Sequence, residues 1–162
     1  MELWDAYDGE FHKIAGKTLV RGEAVPEGAY HLVCEVALRH RDGTYLLMQR
    51  DPRKHLGGLW ECTAGGSALL GESPEECALR ELWEETGMRG EELSELGRLV
   101  HEGHRTLYVL YLAHTDKDKS AVTLQEGETV AFRWVKEEEL FSMEASAFAS
   151  VRTLERLRAK KD

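Results

Sequence analysis

The residues best suited to chemistry lie between Gly65 and Met88, "GGSALLGESPEECALRELWEETGM", where Glu72, Glu75, Glu76, Glu81, Glu84 and Glu85 crowd one short segment. On a helix advancing roughly 100° per residue, Glu81, Glu84 and Glu85 take relative angles of about 0°, 300° and 40°, so three carboxylates share one narrow face. Glu81 and Glu85, four residues apart, repel by roughly 0.2–0.5 kcal/mol unless a cation lies between them. Hard oxygen ligands with room for water suit Mg2+, whose usual work beside phosphates is to neutralise oxygens and activate water. The competing reading is a solvated face on which Arg80 pairs with Glu84 at i+4 and the other carboxylates stand in water.

The element that positions them is marked at both ends. Ser73 is suited to the N-cap, Pro74 to the first helical position, and Glu76 to the reciprocal half of a capping box, while Gly87 suits the left-handed position after the last turn. A helix is expected over 74–86. Just before it, "TAGGSALLGES" supplies glycines and turn residues where a backbone approaches a ligand closely.

Around this helix the pattern reads as short elements separated by turns. Residues 1–29 form a hairpin-like preface from "ELWDAY" and "KTLVRGEAV". "YHLVCEVALRH" and "TYLLMQR", joined by "RDG", read as a central hairpin, followed by the basic loop "DPRKHLGG" and a strand-like "LWECTA". "SELGRLVHEG" and "RTLYVLYLAH" read as paired strands, "TVAFRWV" as another, and "MEASAFASVRTLERLRAKK" as a C-terminal amphipathic helix. A mixed sheet between helices in a single α/β domain spanning 1–162 is the expected architecture.

Composition bounds the function. The 162 residues, 42% of them hydrophobic, suffice for one continuous core. A net charge of −9 disfavours a protein that tracks a long nucleic acid, yet leaves a small phosphorylated substrate open, because a bound divalent cation inverts the local field. Cys34, Cys62 and Cys77 lack CxxC spacing, which argues against a disulfide framework or structural zinc and for buried small hydrophobes. The N-terminus has no basic, apolar leader, and no run approaches the roughly 20 apolar residues of a membrane span, so a cytoplasmic protein is expected.

Gly66, five residues, Glu72, seven residues and then "RELWEETGM" from Arg80 to Met88 resemble the Nudix box, GX5EX7REUXEEXGU, with every specified position met. This MutT-like resemblance implies an α/β/α sandwich, here with 1–29 as a hairpin-like extension on a core of 30–162. It also implies a Mg2+- or Mn2+-dependent hydrolase of phosphoanhydrides in nucleoside diphosphate derivatives. Carried over, Glu81, Glu84 and Glu85 are the metal-binding carboxylates and the Gly66 carbonyl an extra ligand. Arg80 orients the carboxylates, and Glu72 and Gly87 support the box structurally. Many members add an acidic residue from outside the box. "LQEGETVAFRWV" offers Glu126 and Glu128, of which Glu128 stands closer to the expected strand. Arg50 and Lys54 could meet substrate phosphates or form part of a solvated turn, and a homodimer is an open assembly.

"ELWDAYD", "GAYHLVCEVAL", "LLMQRD" and "KHLGGLWE" are similar to the branch related to isopentenyl diphosphate isomerase. Aligned through Trp60 and "GES", that enzyme's Cys-Gly-His falls on Gly65, Gly66 and Ser67, so its nucleophilic thiol and a metal-binding imidazole are missing. His31 matches an isomerase histidine, Ala24 stands where another is expected, and Cys62 lies three residues upstream of the thiol position. An intact REUXEE favours the hydrolase over the isomerase and over a non-catalytic nucleotide-binding module.

Overall fold

The computed structural model describes residues 1–161. Its centre is β3 (His31–His40) running parallel to β8 (Thr106–Thr115), paired continuously from His31↔Thr106 to His40↔Thr115. Both are near-continuous apolar runs because helices cover both of their faces. On one face, Leu32, Cys34, Val36, Leu38, Leu107 and Val109 pack against Cys77, Ala78 and Leu82 of α1 (Pro74–Thr86). On the other, Ala37 and Leu112 meet Leu140 of α2 (Glu137–Ser142) and Leu154 and Leu157 of α3 (Arg152–Lys161). The result is the expected mixed sheet between helices.

The outer edge of β8 carries β7 (Glu91–His101), paired as expected and antiparallel. The expected central hairpin is formed only at its turn: β3 and β4 (Tyr45–Arg50) pair at Arg39↔Tyr45 and then diverge. Beyond that pair β6 (Ala64–Ser67) takes the edge of β3, from Val36↔Ala64 to Val33↔Ser67. Strand β4 turns instead to β9 (Thr129–Val135) and to the two-residue β5 (Trp60–Glu61). "LWECTA" is thus broken in two, and the glycines expected in a loop lie in a strand.

Residues 1–29 do form a hairpin, β1 (Leu3–Tyr7) on β2 (Lys13–Val20), with its own small core of Trp4, Ala6, Leu19 and Ala29. The second strand begins four residues earlier than "KTLVRGEAV" suggests and ends before the Arg21–Gly22 turn. The long C-terminal helix also needs correction. α2 precedes it, and 143–151 are not α-helical, because Phe148 is buried and bridges to Trp60 while Ala149 N–H donates to the Trp60 carbonyl at 2.9 Å. Tertiary pairing overrides the local helical periodicity there. Among the described residues no helix is long and apolar enough to cross a membrane.

Helix α1 begins and ends where its punctuation places it. The Ser73 hydroxyl accepts from Glu76 N–H at 3.1 Å while the Glu76 carboxylate accepts from Ser73 N–H at 3.0 Å, and Gly87 closes the helix at φ 69°. Ser73→Ala is expected to cost about 1 kcal/mol through the lost cap. A chemical-denaturation midpoint that does not move would show that the cap contributes nothing.

Candidate active site

Arg80 anchors the loop that enters α1. Its guanidinium grips Glu72 with two bonds, 2.7 and 3.0 Å, and donates to the Ser67 carbonyl at 3.1 Å. Glu72 also accepts from Leu69 N–H at 3.0 Å. Against burial, which alone would raise it, these donors hold the Glu72 carboxyl below the usual carboxylate range. The 66–72 loop is thereby fixed to the helix. Arg80 reaches forward as well, to Glu81 at 2.9 Å and Glu84 at 3.2 Å.

Two carboxylates of the stripe, Glu81 and Glu85, are withdrawn from solvent. The Glu81 side chain is only 15% exposed and presses on strand β6, so that a Cβ at Gly66 would stand 2.4 Å from its Oε1. Only glycine leaves that space. At Gly65 a Cβ would meet the Cys34 carbonyl at the same 2.4 Å, which is how β6 packs so closely on β3. Glu85 accepts from Gly65 N–H at 2.6 Å. Burial pushes the Glu85 carboxyl well above the usual range in spite of that bond, and burial raises Glu81 too, opposed by Arg80. Glu84 stands at the rim, 44% exposed.

These groups face a cleft of about 410 Å3, which Gly65, Gly66, Glu81, Glu84 and Glu85 line from one side. A smaller recess of about 200 Å3 shares Gly65, Gly66 and Glu85 with it and runs on past Glu35, Tyr108 and Arg152. Glu128 lines both and is paired with Lys54. Glu126, by contrast, is exposed and does not line either space. Arg50 lines the recess but is engaged by Glu61 at 2.6 Å and by the His55 carbonyl at 3.0 Å. Sequence reasoning missed Glu2, Arg21 and Gln125 at the main cleft. Gln125 neighbours the acidic loop already singled out, whereas no local signal places the N-terminal pair there.

The donor set fits a hard divalent cation. Around the main cleft Glu2, Glu81, Glu84, Glu85 and Glu128 outnumber Arg21, Lys54 and Arg80, and carboxylate oxygens beside a carbonyl are what Mg2+ and Mn2+ select. The Gly66 carbonyl already takes a weak contact from the Cys77 thiol at 3.5 Å. As placed, no group of three His, Cys, Asp or Glu side chains among the described residues encloses a metal position. Arg80 draws Glu81 and Glu84 toward itself while Glu85 turns to Gly65.

The remaining candidates lie elsewhere. Cys34, Cys62 and Cys77 are buried and free, and burial pushes the Cys62 thiol up to about 12, which leaves it inert as a nucleophile at neutral pH. His31 stacks on Trp4 at 4.5 Å and shares a 2.8 Å hydrogen bond with Thr106. Trp83, on the helix that carries the carboxylates, is half exposed beneath Arg89.

A family model described as NUDIX domain matches residues 29–157. An uncharacterized Nudix hydrolase of Listeria monocytogenes is 31% identical over 147 residues, which cover 90% of this chain and 86% of that protein. Among solved structures, DR0079 from Deinococcus radiodurans superposes with a TM-score of 0.73 at 18% identity, over 97% of this chain and 98% of that one. The NUDIX domain of Shewanella oneidensis NrtR, complexed with ADP ribose, gives a TM-score of 0.64 at 22% identity, over 83% and 90% of the respective chains.

Proposed function

The chain belongs to the Nudix family, and we propose that it is a divalent-metal-dependent hydrolase of a phosphoanhydride bond in a nucleoside diphosphate linked to another group. The observation that carries this reading is the seating of Glu81 and Glu85 against the Gly65–Gly66 strand. Bringing two like charges together and out of water costs stability, and a divalent cation shared between them would offset that cost.

Glu81, Glu84 and Glu85, with the Gly66 carbonyl, would hold Mg2+ or Mn2+. The ion, when bound, supplies charge neutralisation at phosphoryl oxygens and lowers the pKa of its water. Arg80 orients Glu81 and Glu84, and through Glu72 it keeps the loop that carries Gly66 in place. Glu128, held at the cleft by Lys54, is the outside carboxylate best sited to accept a proton from attacking water. The solved relative complexed with ADP ribose supports a small nucleotide derivative as substrate.

The test is a screen of the purified chain with Mg2+ across nucleoside triphosphates, nucleotide sugars, dinucleoside polyphosphates, ADP-ribose, NADH and coenzyme A, each read by chromatography of its phosphorylated products. At least one should be hydrolysed. No cleavage of any of them would favour a binding module instead. Once a substrate is in hand, Gly66→Ala should lower turnover at least about tenfold, because the added Cβ displaces the Glu81 carboxylate it would otherwise overlap. An unchanged rate would mean that the position of Glu81 is immaterial.

A further inference from the structure

The N-terminal hairpin lies almost wholly outside the matched family segment of 29–157, yet it is built into the site. Leu70 N–H donates to the Leu3 carbonyl at 2.9 Å and Gly71 N–H to the Asp5 carboxylate at 2.8 Å, so β1 holds the same loop that Arg80 and Glu72 hold from the other side. Trp4, one residue along, stacks on His31 at the start of β3 and fixes the hairpin to the sheet. The ends of the two strands then bring Glu2 and Arg21 to the wall of the main cleft.

The commitments of the three cations at that cleft differ. Arg80 is consumed by Glu72, Ser67, Glu81 and Glu84. Lys54 is paired with Glu128. The Arg21 side chain is 66% exposed and, among the described residues, hydrogen-bonds to Glu2 alone, through Nη1 at 3.2 and 3.4 Å. An exposed pair of that kind contributes little stability, so exchanging it for a phosphate is cheap, and the planar fork of a guanidinium matches phosphate oxygens. Glu2 does not depend on Arg21 for its place, since Trp4 Nε1 also donates to it at 2.7 Å.

We propose that Arg21, presented by the N-terminal hairpin, leaves Glu2 to bind a phosphate of the substrate's diphosphate group, which makes the extension a substrate-binding element. The inference deepens the hydrolase reading and rests on it for the identity of the site. Glu2 is then a competitor for the guanidinium, and its removal should act in the opposite sense to removal of Arg21.

With the substrate found by the screen, Arg21→Ala should raise KM at least about tenfold with kcat within about threefold of wild type, the signature of lost uniform binding. Arg21→Lys should recover part of the loss, and Glu2→Gln should leave KM unchanged or lower it. If the pair merely braced the hairpin, Arg21→Ala and Glu2→Gln would behave alike, and that result overturns the proposal. A second arm needs no turnover: calorimetric titration of methylenediphosphonate in Mg2+ should show binding to the wild-type chain that weakens at least about tenfold in Arg21→Ala. Equal affinities, or no binding to wild type, count against Arg21. A chain that hydrolyses nothing but loses diphosphonate binding on Arg21→Ala would sink the hydrolase reading alone.

Discussion

Glu85→Gln is expected to cut turnover at least about a hundredfold while leaving the fold intact. The amide matches the carboxylate in volume, and its oxygen can still accept from Gly65 N–H, so the bond of 2.6 Å that seats the side chain has a successor. What is lost is a negative charge at the floor of the cleft, where an amide is a far poorer ligand for a hard cation. Because that charge costs desolvation, the denaturation midpoint of the variant should equal or exceed that of wild type. Glu84→Gln should cause a comparable loss of turnover, although Glu84 stands at the rim and is tied to Arg80. Wild-type rates in either variant would show that the stripe is not the metal site.

Removal of divalent cations is expected to abolish activity altogether. Treatment with EDTA should reduce hydrolysis of the best substrate to background, and excess Mg2+ or Mn2+ should restore it, because the carboxylates at the cleft outnumber its cationic side chains. A readout independent of catalysis accompanies it. A cation that binds the folded chain raises its melting temperature by mass action, so Mg2+ should stabilise wild type and stabilise Glu85→Gln less. Full activity in chelator, or equal stabilisation of both proteins, would count against the carboxylates as ligands.

The parts of this molecule that were legible from residues alone are those governed by local rules. Ser73, Pro74, Glu76 and Gly87 delimit α1 because caps and left-handed closures depend on neighbours within a turn or so. The spacing from Gly66 to Met88 carries the family resemblance, and the matched family segment includes it. What escaped depends on partners distant in sequence. The glycines of "TAGGS" read as a loop but form β6, since the strand exists through Cys34 and Glu35 on β3. The C-terminal helix starts late because Phe148 is drawn to Trp60, some ninety residues away. Arg21 had no motif to mark it, and it reaches the cleft through the pairing of β1 with β2 and the docking of β1 on the 66–72 loop. Proximity to the expected strand favours Glu128 over Glu126 from the residues alone. Lys54 and the cleft lining distinguish them in the structure.

Hydrolysis of the best substrate in water enriched in 18O, followed by mass spectrometry of the products, tests the central claim most directly. Attack of water at phosphorus places one 18O in a phosphate-bearing product for each anhydride cleaved, in a reaction that stops with EDTA. The contradicting result is turnover that leaves every phosphate product unlabelled, or a chain that cleaves no anhydride but incorporates deuterium from D2O into isopentenyl diphosphate.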